Sequence, residues 1–295
     1  MRFIASAVAL VAIVMALSTT SAAQTKPGDL PMKGKVVMVT GSTDGLGREV
    51  ARRSAALGAH VIVHGRNQER GNALVAEIAK EGKGSAKFYA ADFASLAEVR
   101  ALGQRILKDY DRLDVLVNNA GVWLKDRQVS KDGHEMHFAV NYLAGFLLTR
   151  TLLPKIVASA PSRIVNVASA GQSPIDFNDV MLERPGAAGR GYGQSKLSQI
   201  MFTIDLAAEL KDKNVTVTAL HPATLMDTTL VREAGASARS TVDEGATAVM
   251  QQVTGTVQSG QYYNGLQLSR PNAQASDEGA RAKLRQLSNQ LVGSR

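Results

Sequence analysis

Lys35-Val36-Val37-Met38-Val39-Thr40 runs straight into Gly41-Ser42-Thr43-Asp44-Gly45-Leu46-Gly47. The first half is nearly continuous in β-branched and other apolar residues, as a parallel strand covered on both faces requires. An alanine-rich stretch ending near Leu57-Gly58 follows the glycines and reads as a helix. Strand, glycine turn, helix is the context a dinucleotide-phosphate loop needs. Glycines let the backbone approach the pyrophosphate, whose charge meets the helix N-terminus. Gly41, Ser42, Thr43, Asp44, Gly45, Leu46 and Gly47 are therefore the first candidate cofactor-binding residues.

The next strand, over 61–64, ends in Gly65-Arg66-Asn67. Folds that prefer NAD place a carboxylate about 20 residues past the glycines, where it holds the ribose 2′-hydroxyl. No acid stands between Ala51 and Asn67. Arg66 stands there instead, suited to a 2′-phosphate, with Asn67 beside it. The expectation is NADP(H) in preference to NAD(H); Asp44, inside the glycine loop, is a mild argument the other way.

Strands and helices keep alternating. A helix over 68–80 leads to a strand over 86–90 and to Asp92-Phe93. Ser95-x-x-Glu98 reads as a capping box opening another helix. A strand over 113–117 ends in Asn118-Asn119-Ala120-Gly121, and a long helix over 134–153 carries Asn141. A strand over 163–167 ends in Ala168-Ser169-Ala170, and a loop through Gly189 leads to a helix bearing Tyr192 and Lys196. A strand over 215–220 ends in His221-Pro222-Ala223-Thr224; Thr241-x-x-Glu244 caps a further helix, 261–268 contains a last strand, and 277–291 reads as a terminal helix. The pattern gives the fold class α/β, a single Rossmann-type doubly wound parallel β-sheet flanked by helices. One domain is expected over 34–295, after a linker over 24–33. There is no internal repeat.

Composition narrows the function. A chain of 295 residues with 45% hydrophobic content can bury a large core. The net charge of +8 suits anionic ligands, but no basic run interleaved with aromatics supports a nucleic-acid partner. With no cysteine, disulfides, thiolate nucleophiles and cysteine metal sites are excluded. At the N-terminus, Arg2 precedes an apolar run from Phe3 to Leu17, then Ser21-Ala22-Ala23. That is the layout of a secretory signal peptide, and the run is shorter than the roughly 20 residues of a spanning helix. Export with cleavage after Ala23 is expected, with no membrane span in the mature chain. An uncleaved anchor, and a cytoplasmic protein with a misassigned start, are the alternatives. No twin arginine precedes the run, and an NADP(H) enzyme needs a reductant supply that is normally cytoplasmic.

Tyr192-Gly193-Gln194-Ser195-Lys196 carries the chemistry. Residues four apart share one helix face. A free phenol, with a pKa of about 10, is a poor base near neutrality. A neighbouring ammonium favours the phenolate and lets tyrosine exchange protons with an alcohol or carbonyl oxygen.

Taken in order, Thr40-Gly41-x-x-x-Gly45-x-Gly47, Asn118-Asn119-Ala120-Gly121, Asn141, Ser169 and Tyr192-x-x-x-Lys196 resemble the short-chain dehydrogenase/reductase family, over nearly everything from Gly34 to Leu268. Asp132-Gly133-x-Glu135 leading to Val140-Asn141, and Ser195-Lys196-Leu197 leading to Met201-Phe202-Thr203, look like its retinol-dehydrogenase-like branch. The resemblance implies an oxidoreductase with Tyr192 as proton donor or acceptor. Lys196 would bind the nicotinamide ribose and lower the tyrosine pKa, and Ser169 would hydrogen-bond the substrate oxygen. Asn141 would hold a water linking Lys196 to solvent. Asp92 and Phe93 would flank the adenine, Asn119, Ala120 and Gly121 would line the cofactor's middle, and Pro222 and Thr224 would lie beside it. For Asn118 a structural tie between strands is at least as good a reading. Two positions depart from the family: Ala168 precedes the catalytic serine, and Ala223 replaces the usual glycine after Pro222.

His134 and His137 flank Glu135, but the spacing is not His-Glu-x-x-His; an ordinary helix face and no metal are expected. His221 receives no role. Trp123, Leu225, Met226, Leu230 and Val231 are apolar residues on loops at the strands' C-terminal ends, where such folds bind ligand; they hint at an apolar small-molecule alcohol or carbonyl substrate. A homo-oligomer is neither required nor excluded. The rival from another class is a non-catalytic dinucleotide-binding sensor or scaffold, which has no use for Ser169, Tyr192 and Lys196 together.

Overall fold

The computed structural model describes residues 30–293; the expected signal segment, 1–23, lies outside the described residues. β1 (Val36–Val39), β2 (His60–Gly65), β3 (Ser85–Ala90), β4 (Val115–Asn118), β5 (Ser162–Val167), β6 (Val215–His221), β7 (Tyr262–Asn264) and β8 (Gln267–Ser269) form one sheet in the order β3-β2-β1-β4-β5-β6-β7-β8. Every pairing is parallel except β7 with β8. Strand order reverses direction between β1 and β4, so the crevice beyond their C-terminal ends is the expected ligand site of such a sheet.

The pleat sends alternate side chains to opposite faces. Val37, Val39, Val61, Val63, Val115, Val117 and Val165 face one layer with α1 (Gly45–Ala56), α2 (Gln68–Glu81) and α7 (Val242–Thr254). Met38, Ile62, Leu116, Ile164 and Val217 face the other, formed by α3 (Leu96–Asp109), α4 (Ala144–Ala158), α5 (Gly191–Glu209) and the C-terminal α8 (Glu278–Leu291). Burial on both faces is why these strands are near-continuous apolar runs rather than alternating ones.

Several local expectations change. The last strand is a hairpin, β7 and β8, turning at Gly265 with φ +58. Instead of one helix over 134–153, a π-helical turn over Phe138–Leu143 feeds α4, which continues past Pro154 to Ala158. Thr241 and Glu244 close a reciprocal capping box. Ser95 and Glu98 do not: Ser95 Oγ accepts the Glu98 N–H, but the Glu98 carboxylate accepts from Asp92 N at 2.8 Å instead. Ser95's own N–H is already taken by the Asp92 carbonyl. Leu230 and Val231 lie not on a loop but on the short helix α6 (Thr229–Glu233), and Val231 is buried.

Candidate active site

The glycine loop is shaped by close approach. Gly41 sits at φ +62, and a Cβ there would lie 2.8 Å from Ala120 Cα. A Cβ on Gly47 would lie 2.3 Å from the Gly41 carbonyl and 2.4 Å from Asn119 Nδ2. The loop must therefore be glycine for α1 to pack on the strand end. Asn119 holds it from the neighbouring strand, donating to Thr40 O at 2.8 Å and Gly41 O at 3.1 Å, while Thr40 Oγ1 accepts from Asn119 N and Ala120 N. His64, not anticipated, holds it from below: Gly41 N–H donates to His64 Nδ1 at 3.1 Å, and the ring stacks 4.3 Å from Phe93. Burial pushes His64 down to about 4, so it is a neutral acceptor. Its Nε2 is a buried atom with no partner.

Asp44 caps α1 through Gly45 N at 2.7 Å; Thr229 Oγ1 donates to it at 2.7 Å and Arg70 pairs with it at 3.1 Å. Burial works against its charge, but these partners outweigh it and hold the carboxyl below the usual range. Asp44 is thus committed to the cap, to Thr229 and to Arg70. Ser42 Oγ donates to Val39 O at 2.7 Å. A Cβ on Gly65 would lie 2.6 Å from Thr43 Cγ2, so Thr43 lies over the end of β2. Leu46 is buried in the α1 layer. Arg66 is exposed at the end of β2 and helps lower the neighbouring Asp92 carboxyl, against burial and after Ala94 N and Lys131. Asn67 caps α2, accepting from Arg70 N at 2.9 Å. Phe93 departs from expectation: its ring is turned into the core, so only its main chain is left for an adenine.

Across the crevice, α5 carries Tyr192 and Lys196 on one face. Lys196 is buried, its Nζ donating to Val167 O at 2.8 Å and Gln199 Oε1 at 3.1 Å, and lies 5.6 Å from the Tyr192 ring. With no carboxylate to compensate, burial brings its pKa down to about 7. Ser169, at the end of β5, accepts from Gly171 N at 3.0 Å. Ser169 Oγ and Tyr192 Cε1 both lie within 4 Å of where a Gly171 Cβ would stand, so the two hydroxyl residues face one small space. The expected phenol pKa is reversed in this structure. Burial pushes Tyr192 up, and the Ser169 hydroxyl only partly pulls it back. Desolvation penalises the phenolate and the ammonium together, so proximity alone does not deliver a base.

Gly121 borders the same space: a Cβ there would lie 3.2 Å from Asn141 Oδ1 and 3.8 Å from Lys196 Nζ. The Asn141 side chain is fully engaged, accepting from Val122 N at 2.7 Å and donating to Val122 O at 3.1 Å and Ser195 Oγ at 2.9 Å. Asn118 ties strands and helix, donating to Thr149 Oγ1 and Asn166 Oδ1, both at 2.9 Å. After β6, Thr224 follows Pro222 and is held by His221 Nε2 at 3.0 Å, while Leu225 takes a left-handed φ of 50°. The Trp123 ring packs against Tyr192 at 5.2 Å, tilted by 31°, whereas Glu135 and His137, expected on an ordinary helix face, are buried beside it. No cluster of metal-ligating side chains occurs among the described residues, and no helix among them is long and apolar enough to cross a membrane.

The residues present fit a nicotinamide dinucleotide. The glycine cradle that any Cβ would fill lies over the N-terminus of α1, and Lys196 and Tyr192 face it across Gly121. Residues 35–239 match the family model described as short chain dehydrogenase. The chain is 34% identical to retinol dehydrogenase 13 of Homo sapiens, over 90% of this chain and 87% of that one. A protein of known structure from Mycobacterium Paratuberculosis superposes with a TM-score of 0.76 at 27% identity, covering 90% of this chain and 96% of that one. A short chain dehydrogenase from Burkholderia cenocepacia J2315, solved in complex with NADP, gives a TM-score of 0.65 at 27% identity, covering 79% and 97%. With glycine loop, serine, tyrosine and lysine on one crevice and these relatives across its length, the chain belongs to the short-chain dehydrogenase/reductase family, in its retinol-dehydrogenase-like branch, as an NAD(P)-dependent oxidoreductase acting on CH–OH groups.

Proposed function

We propose that this protein moves a hydride between NADP(H) and an apolar alcohol/carbonyl pair, with Tyr192 as the proton donor in reduction and acceptor in oxidation. The supporting observation is the convergence of Ser169, Tyr192 and Lys196 on one small space at the ends of β5 and α5, next to the glycine cradle. The bound nicotinamide supplies the hydride. Ser169 Oγ donates to the substrate oxygen as charge develops there. The Tyr192 phenol, kept protonated by burial, delivers its proton to that oxygen. Lys196, lowered to about 7 by burial alone, regains its ammonium when anionic groups share the crevice, and then holds the ribose and favours the phenolate in the reverse direction.

The preference for NADP(H) is supported by Arg66, exposed at the end of β2 with no acid on that strand end, and by Asp44, which is paired with Arg70 and hydrogen-bonded by Thr229. Trp123 beside Tyr192 supports an apolar substrate. The apolar run from Phe3 to Leu17, followed by Ser21-Ala22-Ala23, supports export with cleavage after Ala23. The test is a panel of apolar carbonyls and alcohols with NADPH and NADH side by side. Turnover on the panel with NADPH ahead of NADH is expected. NADPH binding without turnover on any member would overturn the enzymatic reading in favour of a sensor.

A further inference from the structure

Val122-Trp123-Leu124 crosses the site between the end of β4 and the long loop before α4, and it is gripped by its main chain. Asn141 brackets Val122, accepting its N–H and donating to its carbonyl. Four residues earlier, His137 Nε2 accepts the N–H of Leu124 at 2.9 Å. Trp123 lies between these two grips, with its ring 5.2 Å from Tyr192. The His137 ring itself meets Tyr192 edge-on, at 6.3 Å and 85°.

The grip by His137 requires one tautomer. A nitrogen that accepts from a backbone N–H carries no proton, so in the neutral ring the proton is on Nδ1. Nδ1 points at Glu135 Oε1, 2.7 Å away, where it donates. The same carboxylate accepts from His137 N at 3.1 Å and Phe138 N at 2.8 Å. Both side chains are about 2% exposed, so no water competes for these bonds. Gly191, at the start of α5, has no room for a side chain because of the pair: a Cβ there would lie 2.6 Å from His137 Nδ1 and 3.1 Å from Glu135 Oε1. The pair is therefore wedged under the residue that precedes Tyr192.

We propose that Glu135 and His137 are a positioning dyad: Glu135 fixes the His137 tautomer, and His137 fixes Leu124 and the edge of Tyr192, so that Trp123 and the phenol present one rigid aromatic corner to the substrate. It rests on Tyr192 being the proton-transfer residue. The dyad touches no reacting atom; it acts through Trp123 and Tyr192. Substituting Glu135 by glutamine is diagnostic because no amide orientation satisfies the site. An NH2 placed at the Oε1 position faces the His137 donors, and one at the Oε2 position faces Phe138 N–H.

Trp123 is the only tryptophan of the chain, so its fluorescence reads this corner without any catalysis. In wild type, nitrogen-15 NMR of His137 should show a protonated Nδ1 and a bare Nε2; the opposite tautomer overturns the proposal. His137→Leu, which removes the acceptor, should shift the Trp123 emission of the cofactor-free protein. It should also lower kcat on the order of tenfold to a hundredfold, with KM for NADPH changed less than about twofold. His137→Gln, whose amide oxygen reaches the Nε2 position, should restore most of both. A His137→Leu protein with unchanged emission and kcat refutes the dyad, as does a Glu135→Gln protein that keeps both. Should wild type fail to turn over any carbonyl, the proposed reaction falls, while the tautomer and the Trp123 emission still decide the dyad.

Discussion

Replacing Lys196 by methionine should make the cofactor-free protein more stable, and by an amount that depends on pH in a defined direction. Lys196 is buried, hydrogen-bonded only to a carbonyl and an amide oxygen, with its pKa brought from the ordinary 10.5 to about 7 by burial. At 1.36 kcal/mol per pKa unit, the charged form is disfavoured in the fold by about 5 kcal/mol. The sign follows from proton counting. Below pH 7 the lysine is protonated in both folded and unfolded chains, and the penalty is fully present. Between 7 and 10.5 the unfolded chain binds the extra proton, so wild-type stability rises with pH. Methionine fills a similar volume without the charge. Less the constant cost of leaving Val167 O and Gln199 Oε1 unpaired, the advantage of Lys196→Met over wild type should thus be largest near pH 6 and fall by about 4 kcal/mol by pH 10. Urea unfolding of both proteins at pH 6, 8 and 10 measures the difference, in which other titrating groups cancel. A gap between the two proteins that does not close from pH 6 toward pH 10 would refute the claim that this ammonium is desolvated.

Tyr192→Phe should cut turnover by orders of magnitude while leaving NADPH affinity nearly intact, since the ring packing on Trp123 survives; kcat and fluorescence titration separate the two, and wild-type turnover would end the mechanism. Arg66→Asp should shift preference from NADPH toward NADH by about 1.5–3 kcal/mol, the range of a charge-assisted hydrogen bond; a wild type that already uses NADH equally well would contradict the assignment. Asp114→Asn should destabilise by about 2–3 kcal/mol, because the buried carboxylate accepts from Val36 N, Lys35 and Arg112. Burial opposes its charge but these donors prevail and lower its pKa; the stability it contributes is lost as pH falls through that depressed value, so the gap to the variant should narrow in acid. For the proposed export, N-terminal sequencing of protein from fractionated cells should find a chain beginning near Gln24 outside the cytoplasm; an intact Met1 in the soluble cytoplasm would contradict it.

What the sequence disclosed is what depends on neighbours in the chain. The glycine loop could be read because strand, turn and helix are local, and Tyr192 and Lys196 because residues four apart share a helix face. The hairpin of β7 and β8 carries a usable local signal, Asn264-Gly265, since that pair favours tight turns. The shift of the phenol was not legible, because desolvation is set by what covers Tyr192, and Trp123, His137 and Ser169 reach it from distant parts of the chain. Glu135 and His137 read as part of an ordinary helix face for a similar reason: their burial depends on Gly191, far along the chain, leaving room for them. Nothing in Phe138–Leu143 announces a π-helical turn, and His64 beneath the glycine loop is one apolar-strand residue among several until the sheet brings it under Gly41.

The polar side chains of the site share a feature that bears on where substrate choice resides. Most of them bind main chain rather than one another: Asn119 to Thr40 and Gly41, His64 to Gly41, Asn141 to Val122, His137 to Leu124, Lys196 to Val167 and Ser169 to Gly171. These bonds hold main chain at or just beyond the C-terminal ends of β1, β4 and β5, so the cofactor side of the crevice is braced at those three strand ends. Such bonds survive changes of loop side chains, because backbone N–H and carbonyl groups are present whatever the residue. The other wall comes from later segments. The segment 170–190 carries Leu182 at a left-handed φ of 54°, and α6 is only five residues long, with Asp227 and Arg232 paired on its exposed side. Main chain in 170–190 is held from outside by Gln194 at Asp176 and Gln274 at Ile175, beyond Gly171 and Gln172, which bond Ser169, so substitutions beyond Gln172 can reshape the pocket without touching Ser169 or Tyr192. Specificity for one apolar carbonyl over another should therefore respond to changes in 173–190 and α6 through KM, while changes in the braced side should act on kcat.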